Sequence, residues 1–349
     1  MSSVAAAGGP LPVTLLTGFL GMGKTTLLNA VLRDPAFART MVIVNEFGAV
    51  GLDHLLIEGA VDDVLLLDSG CLCCAATGSL RDTLIDLGAR RSSGAVPAFD
   101  RVIVETSGLA NPAPLIATLV SDSALRGRFE LHTVLTVVDV QLAEATLERH
   151  AEFVRQVAFA DRLVLTKAGP GDVAAAEERL SARLSALNPQ APQIRWRRGE
   201  SAVGLFAAAP ATGRLYLRGP MRAQYGSDGS AHGPSFGAVR TDVLTLARAT
   251  TWPAYAAWSA QLGRRFGARL LRCKGLLAID DDGVKRWWTV QAVQGHFMPP
   301  EPFGSRHTPP ADGGYLVCIT DGVPAGELAA SIDVLAGVDC QDRQEETHR

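Results

Sequence analysis

Up to about residue 205, the chain alternates between short runs of consecutive apolar residues and segments whose apolar residues recur with helical spacing. The apolar runs predict buried strands at Val13–Thr17, Met41–Asn45, Val64–Leu67, Arg101–Glu105, Val134–Asp139 and Leu163–Thr166. The helical spacing predicts helices at Lys24–Leu32, Gly78–Arg90, Ala113–Val120, Leu142–Phe159 and Val173–Leu187. Strands that alternate with helices in this way indicate an α/β fold with a mostly parallel sheet covered by helices.

The alternation fades beyond residue 205, and residues 207–237 are rich in Ala, Gly, Pro and Ser, which predicts a linker. A second set of elements follows from Val239, with helices predicted at Trp252–Phe266 and Glu327–Val338 and strands at Leu270–Ile279, Arg286–Val293 and Tyr315–Thr320. The sequence DDDG at 280–283 predicts a hairpin turn. We therefore predict a larger domain at 1–206, a linker at 207–237 and a smaller α+β domain at 238–345.

Composition narrows the classes of function. Hydrophobic residues make up 47% and charged residues 20% of the chain, which is typical of a globular protein. The net charge of -3 provides no basic field, so neither nucleic acid nor a membrane surface is expected as a partner. The start MSSVAAAGGPLP lacks the features of a signal peptide, and no apolar run is long enough to span a bilayer. We expect a cytoplasmic protein, in which clustered cysteines indicate metal binding or catalysis before disulfides.

The sequence GFLGMGKT, Gly18–Thr25, matches the phosphate-binding pattern G-x-x-x-x-G-K-[ST] and stands between a predicted strand and a predicted helix. In such a loop the backbone wraps closely around phosphate oxygens, and amide groups at the helix N-terminus supply positive potential. Lys24 is predicted to reach the β- and γ-phosphates, and the Thr25 hydroxyl to hold Mg²⁺. The loop residues predicted to bind the nucleotide are Gly18, Gly21, Met22, Gly23, Lys24, Thr25 and Thr26.

Nucleotide hydrolysis requires a second anchor at the end of a neighbouring strand, and two acidic residues compete for that role. Glu105 ends the strand in VIVETSG, and Asp139 ends the strand in VLTVVD. Either acid could instead cap a helix or form a turn. Glu105 is followed by Gly108, whose backbone N–H can donate to a γ-phosphate. We favour residues 105–108 as the γ-phosphate sensor, with Glu105 orienting water or the metal shell.

The strand in LVLTK ends with Thr166 and Lys167, which are predicted to lie at the nucleotide base. In GTPases this strand end carries [NT]-K-x-D, whose aspartate pairs with the guanine edge. Here the position two after Lys167 is Gly169, and the nearest aspartate is Asp172. Two alternatives stay open: Asp172 reaches the base, or Lys167 stacking and backbone contacts hold it alone.

Three of the six cysteines lie within GCLCC at 70–74, as Cys71, Cys73 and Cys74. Thiolates are soft ligands that suit Zn²⁺, Cu(I) or Co²⁺ better than Mg²⁺ or Ca²⁺. Three protein ligands leave an open coordination position, which a transferable metal requires and a closed structural zinc site lacks. Two alternatives remain: cysteines that only pack in a core, and a redox pair, since Cys71 and Cys74 have C-x-x-C spacing.

Together these motifs resemble one family. The segments GFLGMGKTTLLN (18–29), NEFGAVGLDHLL (45–56), GCLCC (70–74), ETSGLANPAPL (105–115) and TK (166–167) occur in the order found in CobW-type P-loop GTPases. The resemblance covers residues 12–205 well and the C-terminal domain more loosely, through RCKG (272–275) and VQGHF (293–297). It implies a transition-metal site at Cys71, Cys73 and Cys74 with Glu46 nearby, and metal transfer coupled to GTP hydrolysis.

On this resemblance we expect a GTP-hydrolysing metallochaperone that uses GTP, GDP and Mg²⁺. The expected cargo is Zn²⁺, with Co²⁺ or Fe²⁺ as alternatives, the expected partner is a client metalloprotein, and a homo-oligomer is left open. One rival is a nucleotide-dependent kinase, for which no acceptor motif stands out. The other is a GTP-dependent activator or assembly factor of a metalloenzyme that carries no metal. The sequence assigns no role to Cys273, Cys318 and Cys340.

Overall fold

The computed structural model describes residues 9–45, 66–68, 76–169, 172–206, 230–303, 313–324 and 326–335. Contacts between residues divide the chain into two units. The first unit comprises Met1–Ser181 and Ala191–Ala208, and the second comprises Ala182–Gln190 and Ala209–Arg349. None of the helices in the described part of the chain is long and apolar enough to cross a membrane.

The first unit is built on a seven-stranded sheet in which every pair of neighbouring strands is parallel. Its strands are β1 (Leu11–Thr17), β2 (Thr40–Asn45), β3 (Leu66–Asp68), β4 (Arg101–Thr106), β5 (Phe129–Asp139), β6 (Arg162–Thr166) and β7 (Gln193–Arg195), in the order β3-β2-β4-β1-β5-β6-β7. Because the strands are parallel, their carboxyl ends share one edge, where α/β proteins bind ligands. The predicted α/β class with a mostly parallel sheet is confirmed.

Helices follow most of these strands. Their bounds are α1 (Lys24–Leu32), α2 (Ala76–Ser93), α3 (Ala113–Ser121), α4 (Ala143–Arg149), α5 (Ala151–Phe159), α6 (Asp172–Leu187) and the short α7 (Val203–Phe206). The prediction of one helix over 142–159 is wrong. His150 adopts an extended backbone, with φ -130° and ψ 104°, and divides this segment into α4 and α5.

The second unit contains an eight-stranded sheet with a helix packed on one face. Its strands are β8 (Ser230–Phe236), β9 (Val239–Leu246), β10 (Thr250–Thr251), β11 (Leu270–Asp281), β12 (Val284–Val293), β13 (His296–Phe297), β14 (Glu301–Pro302) and β15 (Gly314–Asp321). The main path runs β13-β12-β11-β15-β9-β8, and all of its pairs are antiparallel. The helix α8 (Trp252–Phe266) buries Tyr255, Trp258, Leu262 and Phe266, whose spacing places them on one face.

Two expectations for the C-terminal part require correction. The strand β8 lies inside the segment that composition predicted as a linker, and it pairs with β9. The prediction missed it because SAHGPSF carries no alternation of apolar residues. The helix predicted at 327–338 is instead a 3-10 turn, Ala329–Ser331, followed by the short helix α9, Ile332–Leu335. Residues beyond Leu335 lie outside the described part, so the end of that prediction is not tested.

Candidate active site

The phosphate loop leads from the end of β1 into α1 at the carboxyl edge of the first sheet. Gly18, Gly21 and Gly23 all have positive φ, at 140°, 74° and 99°. At Gly18 a Cβ atom would lie 2.5 Å from the carbonyl oxygen of Val137, so the close approach of loop and β5 requires glycine. The Lys24 Nζ donates to the carbonyl oxygens of Gly18 at 2.9 Å and of Phe19 at 3.3 Å. The lysine therefore sits inside the curve of its own loop, where a phosphate would be received.

Glu105, and not Asp139, stands beside the predicted Mg²⁺ residue. The Thr25 hydroxyl donates to Glu105 Oε1 at 2.8 Å, and Glu105 is 4% exposed. Asp139 is fully buried, but its carboxylate pairs with the Lys167 ammonium and accepts the Gln141 backbone N–H at 2.9 Å. A hydroxyl next to a carboxylate supplies the hard oxygen ligands that Mg²⁺ prefers, so the residues present fit this cation.

The loop after β4 lies against the phosphate loop. The Thr106 hydroxyl donates to the Thr17 hydroxyl at 2.9 Å, which joins the ends of β4 and β1. A Cβ atom on Gly108 would lie 2.6 Å from the backbone nitrogen of Leu20, so the two loops are in close contact there. The residues predicted to sense a γ-phosphate are thus brought next to the residues predicted to bind it.

Gln156, a residue that the sequence analysis missed, holds the loop after β4. We call residues 107–110 the sensor loop, because they contain the proposed γ-phosphate contact at Gly108. It is fully buried in α5, and its Nε2 donates to the carbonyl oxygens of Gly108 and Ala110, both at 3.0 Å. The Thr136 hydroxyl on β5 donates to the Gln156 backbone oxygen at 2.8 Å. The Oε1 atom of Gln156 is buried and has no hydrogen-bond partner among the described residues. The available signal was a glutamine among apolar residues in AEFVRQVAF.

Aromatic contacts attach the same region to the phosphate loop. The Phe19 ring lies 4.5 Å from the His150 ring, and 6.3 Å from the Phe153 ring in an edge-to-face arrangement. His150 occupies the break between α4 and α5, and Phe153 lies in α5. The helix α5 therefore contacts the phosphate loop through Phe153 and the sensor loop through Gln156.

The end of β6 closes the other side of the phosphate loop. The Thr166 hydroxyl donates to the Met22 carbonyl oxygen at 3.0 Å, and the Lys167 Nζ donates to the Gly21 carbonyl oxygen at 3.4 Å. Met22 itself is buried, and its sulfur accepts the Asp139 backbone N–H at 3.0 Å. Of the predicted loop residues, Gly21 and Thr26 are exposed. The structure thus gathers Thr166 and Lys167 beside the loop, whereas the side chain of Asp172, the first residue of α6, lies outside the described residues.

The predicted metal ligands Glu46, Cys71, Cys73 and Cys74 also lie outside the described residues. The strands that flank them are described: β2 ends at Asn45, whose register partner on β4 is Thr106, and Val44 of β2 pairs with Asp68 of β3. Both strands therefore end at the edge that carries the phosphate loop. Within the described ranges, no group of three or more His, Cys, Asp or Glu side chains is placed to hold a metal ion.

Comparison with known families matches both parts of the chain. Residues 12–195 match the family described as CobW/HypB/UreG, nucleotide-binding domain. Residues 239–336 match the cobalamin synthesis protein cobW C-terminal domain.

Individual relatives match more limited lengths. The zinc chaperone YjiA of Escherichia coli K12 is 39% identical over 197 residues, which cover 56% of this chain and 61% of that protein. The zinc-regulated GTPase metalloprotein activator 1 of Schizosaccharomyces pombe is 36% identical over 166 residues, covering 45% and 39%. The matched segments thus span less than two thirds of either relative. The crystal structure of Zn(II)-bound YjiA GTPase superposes with a TM-score of 0.67 and 27% identity, over 93% of this chain and 99% of that one.

Proposed function

The chain belongs to the CobW/HypB/UreG family of nucleotide-binding proteins, and on that premise we propose that it is a GTP-hydrolysing carrier of zinc. The observation that carries the proposal is the meeting of three sets of residues at one edge of the sheet. The phosphate loop, the acid Glu105 and the strand ends that lead to Glu46 and to the cysteine motif all lie there. YjiA, which is named a zinc chaperone and a GTPase, supports both halves of the proposal.

In the proposed hydrolysis, water attacks the γ-phosphorus in line and GDP leaves, so that GTP and water give GDP and phosphate. Lys24 neutralises charge on the phosphate oxygens, and the N–H groups of the loop orient them. Thr25 and Glu105 would hold Mg²⁺, which when bound screens the charge that develops between the β- and γ-phosphates. Gly108 is proposed to donate its backbone N–H to the γ-phosphate.

Guanine selection is proposed to rest on Thr166 and Lys167 at the end of β6. Asp139 fixes the Lys167 ammonium, and Lys167 has a left-handed backbone with φ 55°. Such a conformation is uncommon for a residue with a side chain. Because Gly169 replaces the usual aspartate, this part of the proposal is tested by comparing the affinities for GTP and ATP.

For metal carriage we propose Cys71, Cys73 and Cys74 as ligands, with Glu46 as the nearby acid. The support is chemical and topological. Three thiolates suit Zn²⁺, β2 ends at Asn45 beside Thr106 of β4, and β3 ends at Asp68 beside Val44 of β2. A γ-phosphate held at that edge can therefore bias the arrangement of the ligands, as it does in switch segments. Hydrolysis would then release the cargo to a client metalloprotein.

The test is a Zn²⁺ titration against a competing chelator, with GDP and then with a non-hydrolysable GTP analogue and Mg²⁺. We expect one tight zinc site whose affinity differs between the two nucleotides. Because such coupling is reciprocal, zinc should change the affinity for the two nucleotides by the same ratio. A Cys71/Cys73/Cys74 triple Ser variant should lose the site, and the matched control Cys340→Ser should keep it. Equal zinc affinity with both nucleotides, or a site that survives in the triple variant, would overturn the carrier.

A second function is favoured by the name of the fission yeast relative, a zinc-regulated GTPase metalloprotein activator. In that case the GTPase activates a client without carrying its metal. The triple Ser variant separates the two, since an activator that carries no metal keeps its effect on the client while a carrier loses it.

A further inference from the structure

Two cysteines to which the sequence assigns no role are in contact at the centre of the second sheet. Cys273 on β11 and Cys318 on β15 are direct register partners, and their sulfur atoms are 3.4 Å apart. Both thiols are free and completely buried. Residues directly opposite each other on antiparallel strands have Cβ atoms about 4.5–5.5 Å apart. A disulfide needs about 3.5–4.5 Å, so a small closing movement suffices.

The surroundings of the pair are those of a core and not of a metal site. Leu277, Leu316 and Trp258 belong to the same buried cluster. Asp242 of β9 is the register partner of Cys318 and is also buried. Among the described side chains no set of three ligands converges there. The row of residues across a sheet is also linear, which spaces successive ligands too far apart to surround one ion.

The chemistry of the thiols follows from these contacts. The Cys318 thiol donates to the Cys273 sulfur, and this hydrogen bond, together with burial, raises the pKa of Cys318 well above its usual value. Because neutral thiols react slowly, we expect the Cys318 thiol to be oxidised only during prolonged exposure to an oxidant. The same absence of thiolate stabilisation favours the oxidised form at equilibrium, since a stabilised thiolate is what makes a disulfide easily reduced.

We propose that Cys273 and Cys318 form a reversible disulfide site for small hydroperoxides, independent of the zinc-carrier function. The thiolate of one cysteine attacks a peroxide oxygen, which gives a sulfenic acid and, after protonation of the leaving hydroxide, water. The thiol of the other attacks that sulfur, forms the S–S bond and releases a second water. In total, two thiols and one hydrogen peroxide become one disulfide and two waters, with the sulfurs oxidised and the peroxide reduced.

The predicted consequence is a covalent link between neighbouring middle strands. In the order β12-β11-β15-β9, the bond joins β11 to β15 and closes a loop that contains β12, β13 and β14. Closing a loop of this size restricts the unfolded chain and stabilises the folded second unit. Bulky disulfides such as oxidised glutathione cannot reach a pair with no exposed surface, so the site selects small oxidants.

The experiment uses the full chain with the other four cysteines replaced, C71S, C73S, C74S and C340S, so that only the pair remains. The protein is exposed to hydrogen peroxide for a prolonged period, and the reaction is stopped with catalase. The protein is then denatured in the presence of N-ethylmaleimide, and its mass is measured by mass spectrometry. We expect the two maleimide adducts of the reduced protein to vanish. The mass should then be about 2 Da below that of the unlabelled reduced chain. Dithiothreitol should restore both adducts, and oxidation should raise the thermal midpoint.

The matched control adds C318S to the same background, which leaves one buried thiol that cannot close a ring. It should show no loss of about 2 Da and no rise in thermal midpoint. The proposal is overturned if both thiols of the pair stay alkylatable after peroxide, or if they are lost only as oxygen adducts or intermolecular dimers. Closure that occurs only in urea, and not in native buffer, would also overturn it.

Discussion

Replacing Gln156 by leucine removes the side chain that holds the proposed γ-phosphate sensor, without changing the volume of the site much. In the wild type, one buried amide nitrogen satisfies two carbonyl oxygens, those of Gly108 and Ala110, at 3.0 Å each. Leucine cannot donate, so both carbonyls lose this partner. The loop that carries the Gly108 N–H then keeps its attachment to β4 and its contact with the phosphate loop.

The expected magnitude follows from what is lost and what is regained. Each lost hydrogen bond costs about 1 kcal/mol, and more where water cannot replace it. The substitution also removes the buried Oε1, which lacks a partner among the described residues, and this returns roughly 1 kcal/mol. The net cost is therefore about 1–2 kcal/mol. If this free energy is lost from the contact with the γ-phosphate, the affinity for a GTP analogue falls about 10-fold.

The assay compares the affinities of a fluorescent GDP and a fluorescent non-hydrolysable GTP analogue. GDP affinity should change less than about 2-fold, because GDP lacks the γ-phosphate that this loop is proposed to contact. The matched control is Gln190→Leu in the second unit. It also removes a hydrogen bond from a glutamine amide to a strand carbonyl oxygen, that of Lys274 on β11 at 3.0 Å. It should lower stability and leave the nucleotide ratio unchanged. An equal loss for GDP and the GTP analogue, or no loss for either, would refute the assignment of Gln156 as a positioning residue.

Three further substitutions test other parts of the structure. Gly108→Ala places a Cβ atom 2.6 Å from a backbone nitrogen of the phosphate loop, so phosphate release from GTP should fall at least about 10-fold in a folded protein; unchanged release would contradict the close approach. Asp139→Asn removes the carboxylate that pairs with Lys167, and GDP affinity, measured by calorimetry, should fall by roughly 3- to 10-fold; an increase would count against the pair. Gly275→Ala places a Cβ atom 2.1 Å from the Tyr315 carbonyl oxygen, so the second unit should lose at least about 3 kcal/mol of stability, which thermal unfolding would reveal.

Much of the first unit could be predicted from sequence because its strands are buried on both faces. Runs such as Val13–Thr17 and Arg101–Glu105 carry apolar residues at both odd and even positions, and therefore on both faces of the strand. The strands observed at the predicted positions agree with the predictions to within two residues at every described end except the start of β5. The phosphate loop was predictable for a different reason, since its backbone conformation demands glycine at fixed positions. The family resemblance drawn from these motifs is confirmed by the matches at 12–195 and 239–336.

What escaped the sequence depended on contacts between distant residues. Glu105 and Asp139 both end apolar strands, and the sequence favoured Glu105 only because Gly108 follows it; the hydrogen bond from Thr25 to Glu105 depends on the fold. The break at His150 has no proline or glycine to mark it, and its ring is held by Phe19, far away in the chain. The strand β8 was missed because its register comes from pairing with β9 and not from a pattern of its own.

The position of β1 in the sheet has a consequence for how the chain is made. It lies between β4 and β5, and its first residue pairs with Phe129. On the ribosome, at about 5–20 residues per second, this apolar strand must wait on the order of ten seconds before its second neighbour is synthesised. Until β4 has been synthesised VTLLT presents two unpaired edges, and until β5 has followed it presents one. The strand that leads into the phosphate loop is thus open to pairing with other chains until β5 has emerged.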